Sequence, residues 1–273
     1  MLTVSVVVYN NEKTELQCLI DSVLNSAIKD IKFIIIDNSP TDKLRSLISN
    51  YPKIDYIFNN RNLGYGAAHN IAIRKYLDRS KYHLVLNPDI YFKPDVLSSL
   101  YEYMEQNNDI GLVMPKVLYK DGAVQYICKL LPTPLTLLFR RFSPFKSLNR
   151  RMNYRYELKF TGYNKIMSVP SLSGCFMFIR TDVLKKIGLF DERFFMYLED
   201  VDLSRRIHNK YKTIFYPAVQ IYHGHEKGSY KNFNLLKHHL RSAIKYFNKW
   251  GWFFDAERKK INKKTIDQKL SSF

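Results

Sequence analysis

"KFIIID", residues 32–37, decides the fold. Phe33 to Ile36 are apolar without alternation, three of the four are β-branched, and the run stops at a carboxylate, Asp37. An apolar run of strand length with no polar face predicts a strand buried on both sides, as in the middle of a parallel sheet. Working outward, "ELQCLIDSVLNS" (15–26) places Leu16, Leu19, Ile20, Val23 and Leu24 at helical spacing, and "TVSVVVY" (3–9) is a second buried strand. Beyond Asp37 the pattern repeats. "DKLRSLISNY" (42–51) reads as helix, "DYIFNN" (55–60) as strand, "GAAHNIAIRKYL" (66–77) as helix and "HLVLNPD" (83–89) as strand. Strand and helix in strict alternation predict an α/β fold, with a Rossmann-like, mostly parallel sheet, right-handed crossovers and flanking helices.

The alternation continues through a helix at 95–107 and a strand at 110–118. From 128 to 165 periodicity is lost, Pro132, Pro134 and Pro144 intervene, and the expectation is a mobile or acceptor-facing loop region. "SLSGCFMFIR" (171–180) reads as strand. "TDVLKKIG" (181–188) reads as a short helix with Thr181 as N-cap and Gly188 as its stop. A helix from about 198 to 210 follows, then a bent strand or strand pair at 212–224. Residues 233–250 form a basic amphipathic helix, and the polar tail after Lys259 is expected to fray.

The 273 residues are 46% hydrophobic, enough for a sizeable core, and carry a net charge of +18. That charge speaks of partners rather than fold. It is uneven, with 11 Lys/Arg against 3 Asp/Glu over 231–273 and 8 against 1 over 140–165. Cys18, Cys128 and Cys175 are odd in number and widely spaced, against a disulfide framework or zinc site. The N-terminal stretch has no basic leader, and no apolar run reaches the ~18–20 residues that span a bilayer. A cytoplasmic protein, peripheral at the inner face of the cytoplasmic membrane, is expected. The basic helix ending at Trp250 and "KWGWFF" (249–254) suit an anionic bilayer surface, although a helix packed on the core with its lysines outward reads the same way. A nucleic-acid partner is not expected, because no helix-turn-helix, zinc-finger or RNP signature accompanies the charge.

In open parallel sheets ligands bind beyond the carboxyl ends of the strands. There this chain places Tyr9, Asn10 and Asn11; Asp37, Asn38 and Ser39; Asn59 to Asn62; and Asn87, Pro88 and Asp89. Four polar strand ends on one rim suit a nucleotide-like ligand. Asp37 suits a base N–H or ribose hydroxyls. Gly64 and Gly66 let backbone approach a ligand closely, although the spacing is not a dinucleotide fingerprint. Asp89 in "LNPD" suits a divalent cation that bridges two phosphates. "FFMYLEDVDLSRR" (194–206) sets Glu199, Asp200 and Asp202 against an aromatic segment, with Arg205 and Arg206 close behind. Alone, each of these also reads as a turn residue or a solvated helix N-terminus.

"VSVVVYN", "IIIDNSPTD", "NNRNLGYGAAHN", "LNPDI", "SGCFMFIR", "GLFDERFFMYLEDVDLSRR" and "YHGHEKGS" occur in this order. Together they resemble the inverting glycosyltransferase family 2, of GT-A fold, and in particular its bacterial rhamnosyltransferase-like branch. The resemblance runs from about residue 3 to 230. It implies a catalytic domain over 1–230, with a nucleotide-sugar half (1–118) and an acceptor half (119–230), and a basic helical extension over 231–273. It implies Asp200 as general base with Glu199 beside it, and donor contacts from Tyr9, Asn10, Asp37, Asn62, Gly64, Asn70, Asn87 and Arg205. Asp89 and His223 would hold Mg²⁺ or Mn²⁺. Asn87 stands where the family's D-x-D element has its first acid, leaving one carboxylate fewer. Asp202 and Trp250 are expected towards the acceptor, and Lys227 and Ser229 near the diphosphate. The implied reaction moves a sugar from a dTDP- or UDP-sugar onto a polyprenyl-diphosphate-linked oligosaccharide of O-antigen or capsule type. L-Rhamnose from dTDP-L-rhamnose is the first expectation, and UDP-galactose, UDP-galactofuranose and UDP-N-acetylglucosamine the alternatives. A sugar nucleotidylyltransferase is disfavoured, because "YNNEKTE" after the first strand has no glycine for a phosphate loop.

Overall fold

The structure is a computed structural model and describes residues 1–142, 144–224 and 233–270. Its centre is one nine-stranded sheet. The first half alternates as expected: β1 (Leu2–Val8), α1 (Lys13–Leu24), β2 (Ile31–Asp37), α2 (Arg45–Ile48), β3 (Ile54–Phe58), α3 (Tyr65–Tyr76) and β4 (Tyr82–Leu86). These four strands are parallel, in the order β3-β2-β1-β4, with Val8 paired to Asp37 and Asp37 to Phe58. Every residue of β1 is buried, Thr3 and Ser5 included, and those two hydroxyls bond to the buried His83 and His69.

The second half is mixed. β5 (Ile90–Phe92), α4 (Val96–Gln106), β6 (Ile110–Leu118), β7 (Met167–Ser168), β8 (Phe176–Arg180), α7 (Thr181–Ile187), α8 (Glu199–His208) and β9 (Lys212–His223) follow. β8 runs antiparallel between β4 and β6, β6 and β9 are parallel, and β5 and β7 pair antiparallel with β9. The two longest ladders, β1–β2 and β6–β9, are parallel. The bent strand at 212–224 is one strand, and its register against β6 shifts at Pro115/Lys116.

Several expectations are corrected. Residues 134–156 are not a loop but two helices, α5 (Pro134–Phe142) and α6 (Lys146–Tyr156). The tail does not fray. α9 (Phe233–Trp250) is followed by α10 (Ala256–Leu270), whose Asn262 side chain donates to Leu131 O and accepts from Leu131 N, 2.9 and 2.8 Å. α2 shrinks to one turn, and Thr181 is the first helical residue rather than the cap. A separate apolar cluster of Leu131, Phe194, Leu198, Val201, Tyr246 and Phe247 seats α9 against α8. Thus the aromatic stretch before Glu199 is where the C-terminal helices attach. Among the described residues no helix is long and apolar enough to cross a membrane.

Candidate active site

Asp200 sits in the first turn of α8. The backbone before it is strained: Tyr197 and Leu198 both have positive φ, 71° and 66°, a region costly for side chains of this size. The turn is held in place from outside. Tyr65 N donates to Phe195 O at 2.9 Å, and a Cβ on Gly64 would lie 2.3 Å from that same oxygen. Gly64 also has φ +86°. The close approach that this glycine permits is therefore to the loop carrying Asp200, a correction to its expected contact with a ligand. Asp200 Oδ2 accepts from Gly174 N and Oδ1 from Val201 N, both at 2.8 Å. A Cβ on Gly174 would come within 3.2 Å of the Asp200 Cβ. Both carboxyl oxygens are thus oriented by backbone, and the carboxyl lines a cavity of about 270 Å³ shared with Lys129, Arg140, Ser173 and Tyr197.

Glu199 lines the same cavity in a different setting. Its side chain is buried and Oε2 has no hydrogen-bond partner among the described residues. Burial, then the neighbouring Asp200, push its carboxyl well above the usual range. Glu199 is held protonated, so it can give a hydrogen bond but is not a base. Lys129 is pushed down by burial and by the Arg140 guanidinium.

A second cluster lies across Gly174. The Tyr65 hydroxyl is 2.7 Å from the Gly174 carbonyl and 3.0 Å from the Asn87 amide. It has one proton, and the carbonyl can only accept it. Asn87 Oδ1 takes the Tyr65 contact, and its Nδ2 lies 3.3 Å from His223 Nε2. Gln125 Nε2 donates to the carbonyls of Leu118 and His223, so its Oε1 faces His223 Nδ1 at 2.9 Å and fixes the proton there. His223 Nε2 lies 3.3 Å from Asp89 Oδ1. The Asp89 carboxylate and the His223 imidazole converge beside the Asn87 amide, side chains of the kinds that can hold a divalent cation. Among the described residues no third His, Cys, Asp or Glu joins Asp89 and His223.

At the strand rim, Asp37 accepts from Ser39 N at 2.8 Å and Tyr56 Oη at 2.6 Å. Tyr9 is half exposed and flanks it. Asn10 adopts φ 54° with its N–H on Ser39 Oγ. Asn62 caps Gly64 N at 2.9 Å, and Asn38 ties Asn59 to the Gly64 carbonyl. Asn70 is buried and clamps Phe190 N, Phe190 O and Glu192, so it positions a loop rather than the donor.

Three more expectations are corrected. Arg205 is 1% exposed, with Nη1 and Nη2 both 2.8 Å from Asp255 and its guanidinium 4.0 Å over the Trp250 ring. It cannot reach a diphosphate. Asp202 is fully buried and pairs with Arg206, Lys249 and Trp250 Nε1. Trp250 is spent on those two contacts. All three are structural ties between α8 and the C-terminal helices, and none faces an acceptor. Lys227 and Ser229 lie outside the described residues.

The sequence description "Glycosyl transferase family 2" matches residues 3–188, about two thirds of the chain. The chain belongs to glycosyltransferase family 2. Among curated relatives, this family 2 chain is 30% identical over 177 residues to a low-salt glycan biosynthesis hexosyltransferase of Haloferax volcanii, covering 64% of the chain and 52% of that protein. It is 25% identical over 236 residues to the N-acetylglucosaminyl-diphospho-decaprenol L-rhamnosyltransferase of Mycobacterium tuberculosis, covering 79% and 74%. It is 28% identical over 232 residues to the rhamnosyltransferase WbbL of Escherichia coli, covering 82% and 84%. The chain thus spans about half the length of the first relative and about three quarters or more of the other two. The fold matches the mannosyltransferase of Pyrobaculum calidifontis solved with GDP-Man and Mn²⁺, at TM-score 0.61 and 15% identity over 90% of this chain and 64% of that one. The chain thus joins the family 2 sequence pattern to a GT-A fold.

Proposed function

We propose that the protein is an inverting, metal-dependent hexosyltransferase that extends a polyprenyl-diphosphate-linked oligosaccharide of O-antigen or capsule type at the inner membrane face. The observation that carries this reading is the Asp200 carboxyl, oriented by two backbone N–H groups at the mouth of a cavity across Gly174 from the Asn87–Asp89–His223 cluster. The nucleotide would lie along the rim, its base on Tyr9 and its base or ribose on Asp37. Asn87, Asp89 and His223 would hold Mg²⁺ or Mn²⁺, which when bound supplies charge neutralisation for the donor's diphosphate, since Asp89 is the one acid among the three. Asp200 takes the proton of the acceptor hydroxyl as that oxygen bonds to the anomeric carbon. The bond from that carbon to the diphosphate breaks on the opposite face and nucleoside diphosphate leaves. The protonated Glu199 gives a hydrogen bond in the same cavity.

The donor we favour is dTDP-L-rhamnose, supported by two relatives whose names carry rhamnosyl transfer; a β-L-rhamnosyl donor would yield an α-linked product. The test is nucleoside diphosphate release from dTDP-rhamnose and a panel of UDP-sugars with Mg²⁺, Mn²⁺ or EDTA and a polyprenyl-diphosphate-linked acceptor. Metal-dependent turnover of dTDP-rhamnose supports the reading. Turnover of a UDP-hexose instead replaces the donor, and EDTA-resistant turnover overturns the metal.

A further inference from the structure

Leu137 on α5 and His239 on α9 line the catalytic cavity, and on their other side they line a second hollow. That hollow, about 210 Å³, runs between α5 and α9, is walled by Leu138, Leu240, Ala243 and Ile244, and includes Trp252. Leu138 and Ile244 are each 49% exposed, so the groove opens to the surface. Beside it Phe253 and Phe254 stand exposed. A continuous apolar surface of this kind marks a binding site rather than an ordinary patch.

We propose that this α5–α9 groove holds the first isoprene units of the lipid-linked acceptor, with its diphosphate at the Lys129–Arg140 end of the catalytic cavity. The proposal rests on the acceptor class given above and adds the place where it binds. Three features choose a polyisoprenyl diphosphate over other occupants. The groove leads into the cavity that holds Asp200, which a docked protein would not need. The junction carries two cations, Lys129 and Arg140, of which Arg140 pairs with Glu157. Burial and Arg140 push Lys129 down, and an anion beside it would favour its charged form. A second copy of this chain would bring another +18 to a surface already bearing exposed Lys237 and Arg241, and like charge repels it.

Trp252 in the groove reports binding directly; the other tryptophan, Trp250, is covered by Arg205. Farnesyl diphosphate, below its micelle concentration and with no sugar donor present, is titrated against wild type, Ala243→Phe and Leu138→Asp, with inorganic pyrophosphate and anionic vesicles as parallel arms. Ala243→Phe fills the groove, while Leu138→Asp sits on an exposed position that leaves the fold intact. Expected is a saturable Trp252 response to farnesyl diphosphate with Kd at least tenfold below that of pyrophosphate. Either variant should raise that Kd about tenfold and leave pyrophosphate binding unchanged. Equal affinity for farnesyl diphosphate and pyrophosphate, or wild-type affinity in both variants, overturns the proposal. A response to vesicles alone makes the groove a bilayer-facing surface and also overturns it. Because no transfer is measured, failure here leaves the donor assay above as the separate judge of the reaction.

Discussion

The adjacent carboxyls at positions 199 and 200 sit in different surroundings. Asp200 has two backbone donors, one on each oxygen; Glu199 has burial and an Oε2 without a partner. A pKa raised in the folded protein makes the native state bind more protons than the unfolded chain between the ordinary value of 4.5 and the raised one. The stabilisation is therefore complete below pH 4.5 and is lost as pH rises through the folded value. Glu199→Gln removes this dependence. Its melting temperature should match wild type near pH 4 and exceed it at pH 8, as thermal unfolding across pH will show; parallel curves would mean that Glu199 is ionised. Gln125 offers a second residue-scale test. Gln125→Ala frees the His223 tautomer and should weaken Mn²⁺ binding 10–100-fold by calorimetry. Neither Gln125 nor Gly174 was legible in the sequence. Each acts by aiming another residue's atom, and a lone Gln or Gly carries no spacing signal, whereas Asp37, Asp89, Asp200 and His223 stand at strand or helix ends that periodicity locates.

At the scale of elements, α8 is tied at two points. Gly64 lets the α3 N-terminus touch the 194–198 loop, and Gly64→Ala, strained and in collision with the Phe195 carbonyl, should misplace Asp200. The expected result is a fall in kcat of at least tenfold with donor Kd unchanged, read from initial rates and calorimetry. The other tie is the buried Arg205–Asp255 pair under Trp250. Removing one partner of a buried pair typically costs about 3–5 kcal/mol. Denaturant unfolding should show a loss of that order for Arg205→Ala and a clearly smaller one for Arg205→Met combined with Asp255→Leu. This clamp explains why Arg205, Asp202 and Trp250 misled a reading of local sequence. Arg205 and Asp255 are 50 residues apart, and only the packed C-terminal helices bring them together. The same holds for α6 and α10, polar helices whose sequence gives no periodic signal and whose order comes from tertiary contacts such as Asn262 with Leu131.

Across the whole molecule, the parallel half was readable because its strands are mainly apolar runs between helical patterns. The mixed half was less so, since β5 and β7 have three and two residues and owe their pairing to β9. Charge also sorts at this scale. Lys249 is engaged by Asp191 and Asp202, and Lys245 by the Arg193 carbonyl, so those two lysines are not the membrane contacts that helix periodicity nominates. Lys237 and Arg241 are exposed. Reversing both to Glu should release the protein from anionic liposomes in sedimentation while leaving its melting temperature within about 1 kcal/mol of stability; unchanged sedimentation would remove the charged membrane contact from the account.

The central claim is that Asp200 takes the acceptor proton. The measurement is the steady-state rate of nucleoside diphosphate release by Asp200→Asn with the cognate donor and acceptor, beside donor affinity by calorimetry. The isosteric amide keeps the shape and removes the base, so kcat should fall by about 10²–10⁴ with donor Kd within twofold of wild type. A variant that retains more than a tenth of the wild-type rate would contradict the claim.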